Sequence, residues 1–346
     1  MIVTTVTVRV PAKINLQLAV GPLRADGYHG LVTVFHAVSL FDEVTVKAAE
    51  TDSVSVAGEG ADAVPADGDN LALRAVRALR DAIAIGRTGG SAKVTVPDDV
   101  TVPAGVTASA GVTASAGATA SAGVTVAIRK RIPVAAGLAG GSADAAAALV
   151  ACNDLWQAGL SVRELCEVAG GVGSDVAFAV LGGTAVGRGR GEQLTSALVA
   201  PATYHWVLAF AEGNLSTPAV YGTLDRLRAG RNVAEPELSA ELMSALRVGD
   251  PQLLGAALSN DLQAPAVSMF PALRKTLAAG VELGALGALV SGSGPTCLFL
   301  TGSAGQATDL AVALSGAGVC RSVATATGAA PGASVIGPLA SHVIGH

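Results

Sequence analysis

The sequence predicts an α+β fold organised as two domains. Three observations support this prediction: the length of 346 residues, strands with helices between them in the first half, and a change of pattern near residue 186. A chain of this length suits two domains better than one. Apolar residues make up 51% of the chain and charged residues only 14%, so the chain can bury a large core.

The first half is mostly strand, because apolar and polar residues alternate with a period of two. The predicted strands are residues 6–20 with a break at Pro11, then 29–38, 43–48 and 124–128. Residues 68–83, which read GDNLALRAVRALRDAI, predict a helix with one apolar face and with Asp69 as its N-cap. The alanine-rich stretch 141–157 predicts a second helix.

The second half predicts hairpin strands with helices on one face of the sheet. The predicted strands are residues 204–211, two within 287–300, and 319–327; the predicted helices are near 237–247, 251–258, 271–282 and 304–318. The predicted domains are therefore residues 1–186 and 187–346.

An uncharged stretch, about residues 100–123, interrupts the first domain. It contains AGVTAS at 104–109 and at 110–115, followed by AGATAS at 116–121. This small, polar composition predicts a flexible or extended surface insert between two strands, with no chemistry of its own. Leu, Ile and Phe are too scarce for a membrane-spanning helix.

Composition excludes several function classes. A net charge of −5 argues against nucleic-acid binding. Four widely spaced cysteines predict buried, reduced thiols, and no secretory leader is visible at the start, so we expect a cytoplasmic protein without a membrane partner. The cysteines are Cys152, Cys166, Cys297 and Cys320. The histidines outside the loop at residue 29 have no metal-ligand spacing and predict no metal site; they are His36, His205, His342 and His346.

A glycine-rich turn stands between the strand at 124–128 and the alanine-rich helix. It reads RIPVAAGLAGGSADAA from Arg131, with Gly140 and Gly141 at the helix start. The first turn of a helix offers unpaired N–H groups, and glycine lets a ligand approach them without meeting a Cβ. Together these features favour an anion site, most often for phosphate. A tight turn with small residues for close packing is an equally good interpretation of the glycines alone.

The turn resembles the second motif of the GHMP kinases, and in particular the version found in the 4-diphosphocytidyl-2-C-methyl-D-erythritol kinases. Two distant stretches share the resemblance: PAKINL at 11–16 with DGYH at 26–29, and LVSGSGPTCLFL at 289–300, which looks like the third motif. The match covers nearly the whole chain apart from the insert and the extreme C-terminus. PAKINL together with DGYH is a specific combination, whereas the third motif alone is not.

The resemblance implies an N-terminal ATP-binding domain like ribosomal protein S5, a ferredoxin-like α+β C-terminal domain, and an active site in the cleft between them. It implies an enzyme that uses ATP and Mg²⁺. The residues that it assigns to the nucleotide are Pro133, Val134, Ala135, Ala136, Gly137, Leu138, Ala139, Gly140, Gly141, Ser142, Ala143 and, at the base, Asn70. Ser142 would contact phosphate or Mg²⁺. Capping alone is the plainer interpretation of an Asn at a helix start.

Two residues are the catalytic pair by this resemblance. Asp175, in SDVAFA, matches the catalytic aspartate that takes the proton of the substrate hydroxyl, and Lys13 matches a lysine beside it. The family usually has proline where this chain has Ala177, which concerns the rigidity of the turn and not the carboxylate. From the residues alone, Asp175 is equally a helix cap, and Lys13 is more simply a lysine that reaches solvent.

Four residues are expected near the acceptor: Asn15, and three that the resemblance assigns to the cytosine, Tyr28, His29 and Tyr221. Asn15 shares a strand face with Lys13, and the two tyrosines would hold a cytosine ring between them. The expected reaction is ATP-dependent phosphorylation of the 2-hydroxyl of 4-diphosphocytidyl-2-C-methyl-D-erythritol in the methylerythritol phosphate route to isoprenoids, by a monomer or weak homodimer. The alternatives are a homoserine, mevalonate or sugar kinase of the same fold, a non-catalytic nucleotide-binding relative, and a structural protein that uses the repeat for assembly.

Overall fold

The computed structural model describes residues 5–87 and 123–336. Most of the predicted insert at 100–123 and two of the histidines, His342 and His346, lie outside the described residues. The strands are β1 (Thr5–Leu23), β2 (His29–Ala49), β3 (Ser53–Gly58), β4 (Gly123–Lys130), β5 (Thr184–Gly189), β6 (Gln193–Ser196), β7 (Tyr204–Phe210), β8 (Ser259–Asn260), β9 (Gly287–Val290), β10 (Cys297–Thr301), β11 (Ser322–Gly328) and β12 (Ser334–Ile336).

The helices cover or connect these strands. They are α1 (Leu71–Arg87), α2 (Gly140–Leu155), α3 (Val162–Val172), α4 (Ser174–Leu181), α5 (Thr217–Arg228), α6 (Ala240–Val248), α7 (Pro251–Ala257), α8 (Gln263–Met269), α9 (Ala272–Glu282) and α10 (Ala304–Gly316). Both α1 and α2 form where the sequence predicts them. The other predicted helices of the second half lie within a few residues of the expected bounds.

Among the described residues, eight strands form the first sheet, with the main path β12-β1-β2-β4-β3. The long first strand is continuous, so the predicted break at Pro11 is wrong. The pairing of β1 with β2 shifts register between Pro11 and Ala12, and at such an irregularity the strand tolerates a proline, which has no N–H to donate. The two strands predicted at 29–38 and 43–48 are likewise one strand, β2. Hydrogen-bonded pairing with β1 and β4 keeps β2 extended between the two predicted segments.

The middle of β1 is buried on both faces, and the two faces differ in chemistry. Ile14 and Leu16 are fully buried in the apolar core, which α2 shares by packing on β1 and β2. Lys13, Asn15 and Gln17 alternate with them and point to the opposite side. The strand therefore presents a short polar row beneath the second half of the chain.

The second sheet has the order β11-β7-β10-β9, and every adjacent pair is antiparallel. Taken in chain order, strand, helices, two strands, helix and strand give the ferredoxin-like arrangement that the resemblance implied. The first sheet continues through β6, and β8 and β12 return to pair with β1. The domain division at residue 186 stays a prediction.

Two further predictions concern the burial of the cysteines and the absence of a membrane-spanning helix. All four cysteines are free, but only Cys152 and Cys297 are buried, so the prediction of burial is wrong for Cys166 and Cys320. Helices within residues 5–87 and 123–336 are all too short or too polar to cross a bilayer.

His36 lies where the two sheets meet, and it makes acid stability testable. Its ring is fully buried, its Nδ1 lies 2.8 Å from the Thr184 hydroxyl, and burial lowers its pKa to about 3. The unfolded chain binds a proton here below about pH 6.5, whereas the folded chain does not until about pH 3, so stability falls as the pH drops through this window. Between pH 6.5 and pH 5 the loss is about 2 kcal/mol.

We therefore expect His36→Gln to flatten the pH dependence of the unfolding midpoint in denaturant between pH 6.5 and pH 4. The substitution itself is expected to lower stability at pH 7, because the site is buried, and the slope with pH is the informative quantity. A variant whose slope equals that of the wild-type chain would show that another group causes the acid sensitivity.

Candidate active site

A cavity of about 670 Å³ lies between the two halves of the chain. Its wall combines the polar row of β1, the loop before α2, the start of α4, the start of α5 and the loop between β9 and β10. Among the described residues that line it, three are charged: Lys13, Asp175 and Arg190. The cavity thus brings together residues that are far apart in the sequence.

The loop before α2 forms one end of the cavity as an open helix terminus. Ala139 is the N-cap residue with φ 57°, and no described side chain caps the helix. Ala135 and Gly137 also have positive φ, at 52° and 77°. Such a backbone turns successive N–H groups toward one side, as in anion-binding nests. A Cβ built on Gly141 would meet only the Leu71 side chain, at 3.5 Å, so the terminus is open to a ligand.

Seven of the eleven loop residues assigned to the nucleotide line the cavity: Ala135, Ala136, Gly137, Ala139, Gly140, Gly141 and Ser142. The other four, Pro133, Val134, Leu138 and Ala143, do not line it, and Leu138 and Ala143 are buried in the core. The loop is fixed from the second half of the chain, since Ser291 Oγ donates to the Gly137 carbonyl at 3.0 Å. A Cβ on Gly137 would overlap the Ser291 carbonyl, so only glycine fits there.

Lys13 and Asp175 meet in the cavity, as the resemblance implied. The Lys13 Nζ lies 3.7 Å from Asp175 Oδ2, and the lysine side chain is only 11% exposed while that of the aspartate is 33% exposed. Asp175 occupies the first turn of α4, and Gly173 rather than a side chain is the N-cap. The ammonium is buried and the carboxylate is accessible, which suits a carboxylate that meets a ligand.

Hydrogen bonds hold the Lys13 ammonium in place. It donates to Asn15 Oδ1 at 2.9 Å, the Asn15 amide donates to Thr33 Oγ1 at 2.8 Å, and Thr33 donates to the Gln17 carbonyl at 2.7 Å. Gly292 closes over this row, because a Cβ built there would lie 3.4 Å from Asn15 Oδ1 and 3.7 Å from Lys13 Nζ. Asn15 lines the cavity but also orients the lysine.

A buried ionic cluster beneath the loop was not expected from the sequence. Lys130 Nζ contacts Asp42 Oδ2 at 2.5 Å and Asp144 Oδ2 at 2.7 Å, and all three side chains are at most 2% exposed. Asp42 Oδ1 also accepts from the N–H groups of Arg131 and Ile132, at 2.5 Å and 2.8 Å. The cluster joins the end of β4, the start of the loop and the second turn of α2.

The protonation of this cluster depends on its burial. Burial raises the pKa of Asp144 to about 7, with the positive charge of Lys130 opposing the shift. Desolvation lowers the pKa of Lys130, but the two carboxylates raise it further, so the net shift is upward. The carboxylates therefore favour the charged form of Lys130, whereas burial disfavours the charged form of Asp144.

The residues predicted to hold the acceptor are only partly brought together. Tyr221 lines the cavity and stacks on the buried His29 ring, with centroids 5.4 Å apart and an interplanar angle of 28°. His29 is fixed by the Gly21 carbonyl at 2.9 Å and by Asp225 at 3.3 Å. Tyr28 is 55% exposed and does not line the cavity, but Arg190, which does, lies over its ring. A flat ring between Tyr28 and Tyr221 stays a prediction.

Asn70 caps α1. Its Oδ1 accepts from the Ala72 N–H at 2.9 Å and its amide donates to the Pro65 carbonyl at 2.7 Å, so the expected cap at Asp69 is wrong. Asn70 is buried, and the neighbouring Leu71 lines the cavity. The side chain of Asn70 thus serves the fold, and a contact with the nucleotide base stays a prediction.

Family models match both halves of the chain: GHMP kinases N terminal domain over residues 114–183, and GHMP kinases C terminal over residues 242–320. The chain is 51% identical over 334 residues to 4-diphosphocytidyl-2-C-methyl-D-erythritol kinase of Mycolicibacterium smegmatis, covering 96% of this chain and 92% of that protein. It belongs to the 4-diphosphocytidyl-2-C-methyl-D-erythritol kinase family.

Other members of this family are similar to this chain over nearly its whole length. The Salinispora tropica kinase is 48% identical, covering 95% of this chain and 94% of that protein. A crystal structure of 4-(cytidine 5'-diphospho)-2C-methyl-D-erythritol kinase is 29% identical, covers 92% of this chain and 98% of its own, and superposes with a TM-score of 0.66. A homoserine kinase from Cytophaga hutchinsonii, covering 96% of this chain and 97% of its own, has a TM-score of 0.65 at 17% identity and shares the fold alone.

Membership of this family confirms the predicted two-domain GHMP fold and makes the chain a kinase with an alcohol as acceptor. The resemblance carried by PAKINL, DGYH and the glycine-rich turn is therefore confirmed at the level of the family. The roles of individual residues depend on the geometry described above.

Proposed function

We propose that this chain transfers the γ-phosphoryl group of ATP to the 2-hydroxyl of 4-diphosphocytidyl-2-C-methyl-D-erythritol. The observation that supports the proposal is the arrangement of one cavity, in which an uncapped helix terminus faces a lysine–aspartate pair 3.7 Å apart. Phosphoryl transfer requires mainly positioning and charge stabilisation, and this cavity supplies both.

The nucleotide phosphates would lie at the start of α2. The N–H groups of Gly140, Gly141 and Ser142 belong to the first turn, where a helix has no internal partners for them and carries partial positive charge. Contact of Gly137 with Ser291 keeps the loop in one conformation before any ligand binds. The cradle is thus formed in advance, which lowers the entropic cost of binding.

Mg²⁺ prefers oxygen ligands and is commonly held through substrate phosphates, and the side-chain oxygens of Ser142 and Asp175 line this cavity. Ser142 lines the cavity in the first turn of α2, and its hydroxyl would reach a cation carried on the triphosphate. Within residues 5–87 and 123–336 no three His, Cys, Asp or Glu residues gather into a metal site, so the nucleotide would supply most ligands. When bound, Mg²⁺ supplies positive charge that neutralises the phosphates.

The acceptor hydroxyl would be activated at the catalytic pair. Asp175 Oδ atoms are accessible from the cavity and would accept the hydroxyl proton as the new O–P bond forms. Lys13, held by Asn15, would orient the carboxylate and face the charge that develops on the moving phosphoryl group. Tyr221, stacked on His29, would form one wall of the cytosine site.

The direct test offers the purified chain ATP and Mg²⁺ with four acceptors in parallel: the cytidine diphosphate compound, homoserine, mevalonate and galactose. We expect kcat/KM for the cytidine compound to exceed each of the others by at least about 100-fold, because sites that hydrogen-bond an acceptor reject analogues without those groups. Preference for any other acceptor would overturn the substrate, and no turnover with any acceptor would favour a non-catalytic relative.

We also propose that the chain works in the cytoplasm as a monomer or weak homodimer with small molecules as its only ligands. The cavity is lined by residues of a single chain, which supports a small-molecule ligand and requires no second copy to complete the site. Light scattering at micromolar concentration should give the mass of one or two chains.

A further inference from the structure

Arg190 is a cation of the cavity wall that neither the helix terminus nor the catalytic pair uses. It lies in the turn between β5 and β6, and its guanidinium carbon is 5.1 Å from the centre of the Tyr28 ring. Pairing of β5 with β2 places Gly189 opposite Leu31, which brings this turn beside the beginning of β2. Arg190 therefore borders the acceptor end of the cavity.

The backbone around Arg190 is fixed on both sides. Gly189 and Gly191 have φ of 74° and 100°, which glycine adopts without strain. A Cβ built on Gly191 would lie 3.5 Å from the Phe35 ring and 3.6 Å from Ser174 Cβ, so the turn packs beside the residue that precedes Asp175. The Arg190 N–H donates to the Glu192 carboxylate at 2.6 Å.

The charge of Arg190 is not balanced by a neighbour. Lys13 is paired with Asp175, whereas no carboxylate in the described part of the chain lies within 4.0 Å of the Arg190 guanidinium. Glu192 binds the backbone of Arg190 instead of its side chain. The guanidinium is thus an exposed cation beside Tyr28, at a cavity whose other lining cation, Lys13, is already paired with Asp175.

The position of Arg190 matches one part of the acceptor. Arg190 lies against Tyr28, where the base is expected. The next residue, Gly191, packs beside Ser174, the neighbour of the Asp175 carboxylate where the hydroxyl is expected. A diphosphate joins these two ends of the acceptor in the proposed function, on which this inference rests. A guanidinium offers paired N–H donors that match phosphate oxygens.

We propose that Arg190 binds the diphosphate of the acceptor and so selects a cytidine diphosphate alcohol over uncharged alcohols. It is a substrate-binding residue on the acceptor side and not part of the ATP cradle. Its contact with Tyr28 also keeps that exposed ring beside the cavity.

The test compares Arg190→Gln with the wild-type chain in two assays. In calorimetry with CDP and with cytidine as probes, loss of a charge-assisted hydrogen bond should weaken CDP binding about 10- to 100-fold and leave cytidine binding within about 3-fold. In steady-state kinetics, KM for the acceptor should rise by a similar factor, while kcat and KM for ATP stay within about 3-fold. Arg190→Lys should recover part of the affinity for CDP.

Arg188→Gln is the matched control, because Arg188 is an exposed arginine two residues away that does not line the cavity. It should bind CDP as the wild-type chain does. Equal losses for CDP and cytidine in Arg190→Gln would mean that Arg190 acts only through Tyr28 and would overturn the proposal. A collapse of kcat with acceptor KM unchanged would place Arg190 on the transferred phosphate and would also overturn it.

Failure of the proposed function gives a different pattern. In that case the wild-type chain itself would neither prefer CDP over cytidine nor phosphorylate the cytidine compound. If the wild-type chain does both and Arg190→Gln matches it, only the inference about Arg190 is wrong.

Discussion

Asp175→Asn should lower kcat about 10²- to 10⁴-fold, the range typical for removal of a general base. Asparagine keeps the size of the side chain but cannot accept the proton of the acceptor hydroxyl. The carboxylate lies in the first turn of α4 and not at the helix start of α2, so the phosphate cradle stays intact. Dissociation constants for ATP, measured by calorimetry, are therefore expected to stay within about 3-fold of the wild-type value.

Asp309→Asn serves as the control for this variant, because Asp309 is an exposed carboxylate in α10 outside the cavity. It should have wild-type kcat. If Asp175→Asn turned over at the normal rate, the proton would have to leave by another path and the assignment of the base would be wrong. If ATP binding fell with kcat, Asp175 would belong to the nucleotide site.

Lys130→Met should destabilise the chain by about 3–5 kcal/mol, which is typical when one partner of a buried ion pair is removed. Methionine fills much of the volume, but it leaves Asp42 and Asp144 facing each other with side chains at most 2% exposed. We expect the thermal midpoint to drop by roughly 6–20 °C. KM for ATP should also rise, because the cluster ties the end of β4 to the start of α2.

Lys47→Met is the matched control, since Lys47 is an exposed lysine on β2 of the same sheet. Its midpoint should stay within about 2 °C of the wild-type value. Combining Lys130→Met with Asp144→Asn should restore part of the lost stability by removing one of the two facing charges. An unchanged midpoint in Lys130→Met would show that the buried contacts of Lys130 with Asp42 and Asp144 do not stabilise the folded chain.

Local patterns in the sequence predict many of the helices and strands of this fold. The sequence predicts the glycine-rich turn and the alanine-rich helix after it, because both depend only on residues within about 25 positions of each other. Lys13 and Asp175 are 3.7 Å apart in the structure, yet no sequence spacing places them together, and only the family resemblance paired them. The break predicted at Pro11 failed because a register shift in the pairing of β1 with β2 accommodates the proline.

The ionic cluster under the loop was missed for a physical reason. Asp42 and Lys130 are separated by 88 residues, so their contact depends on the pairing of β2 with β4. One local signal was present: Val124, Val126 and Ile128 point into the core with a period of two, and Lys130 continues that series. A lysine on the core face of a strand calls for buried anionic partners.

Another missed element had a clear local signature. Ser161 accepts from the Glu164 N–H, and the Glu164 carboxylate accepts from the Ser161 N–H at 2.8 Å, which is the capping box that begins α3. The spacing of these two residues before an apolar run would have predicted the helix. The short strands β8 and β12 carry no such signal, because two- and three-residue strands exist only through their partner.

The return of β12 to β1 has a consequence for synthesis on the ribosome. Val335 pairs with Val8, so this edge of the first sheet stays uncovered until residues 334–336 have emerged. An exposed strand edge is a template for pairing with other chains. Truncated products that end before Ser334 should therefore aggregate or be degraded, even though they contain every residue of the proposed catalytic cavity.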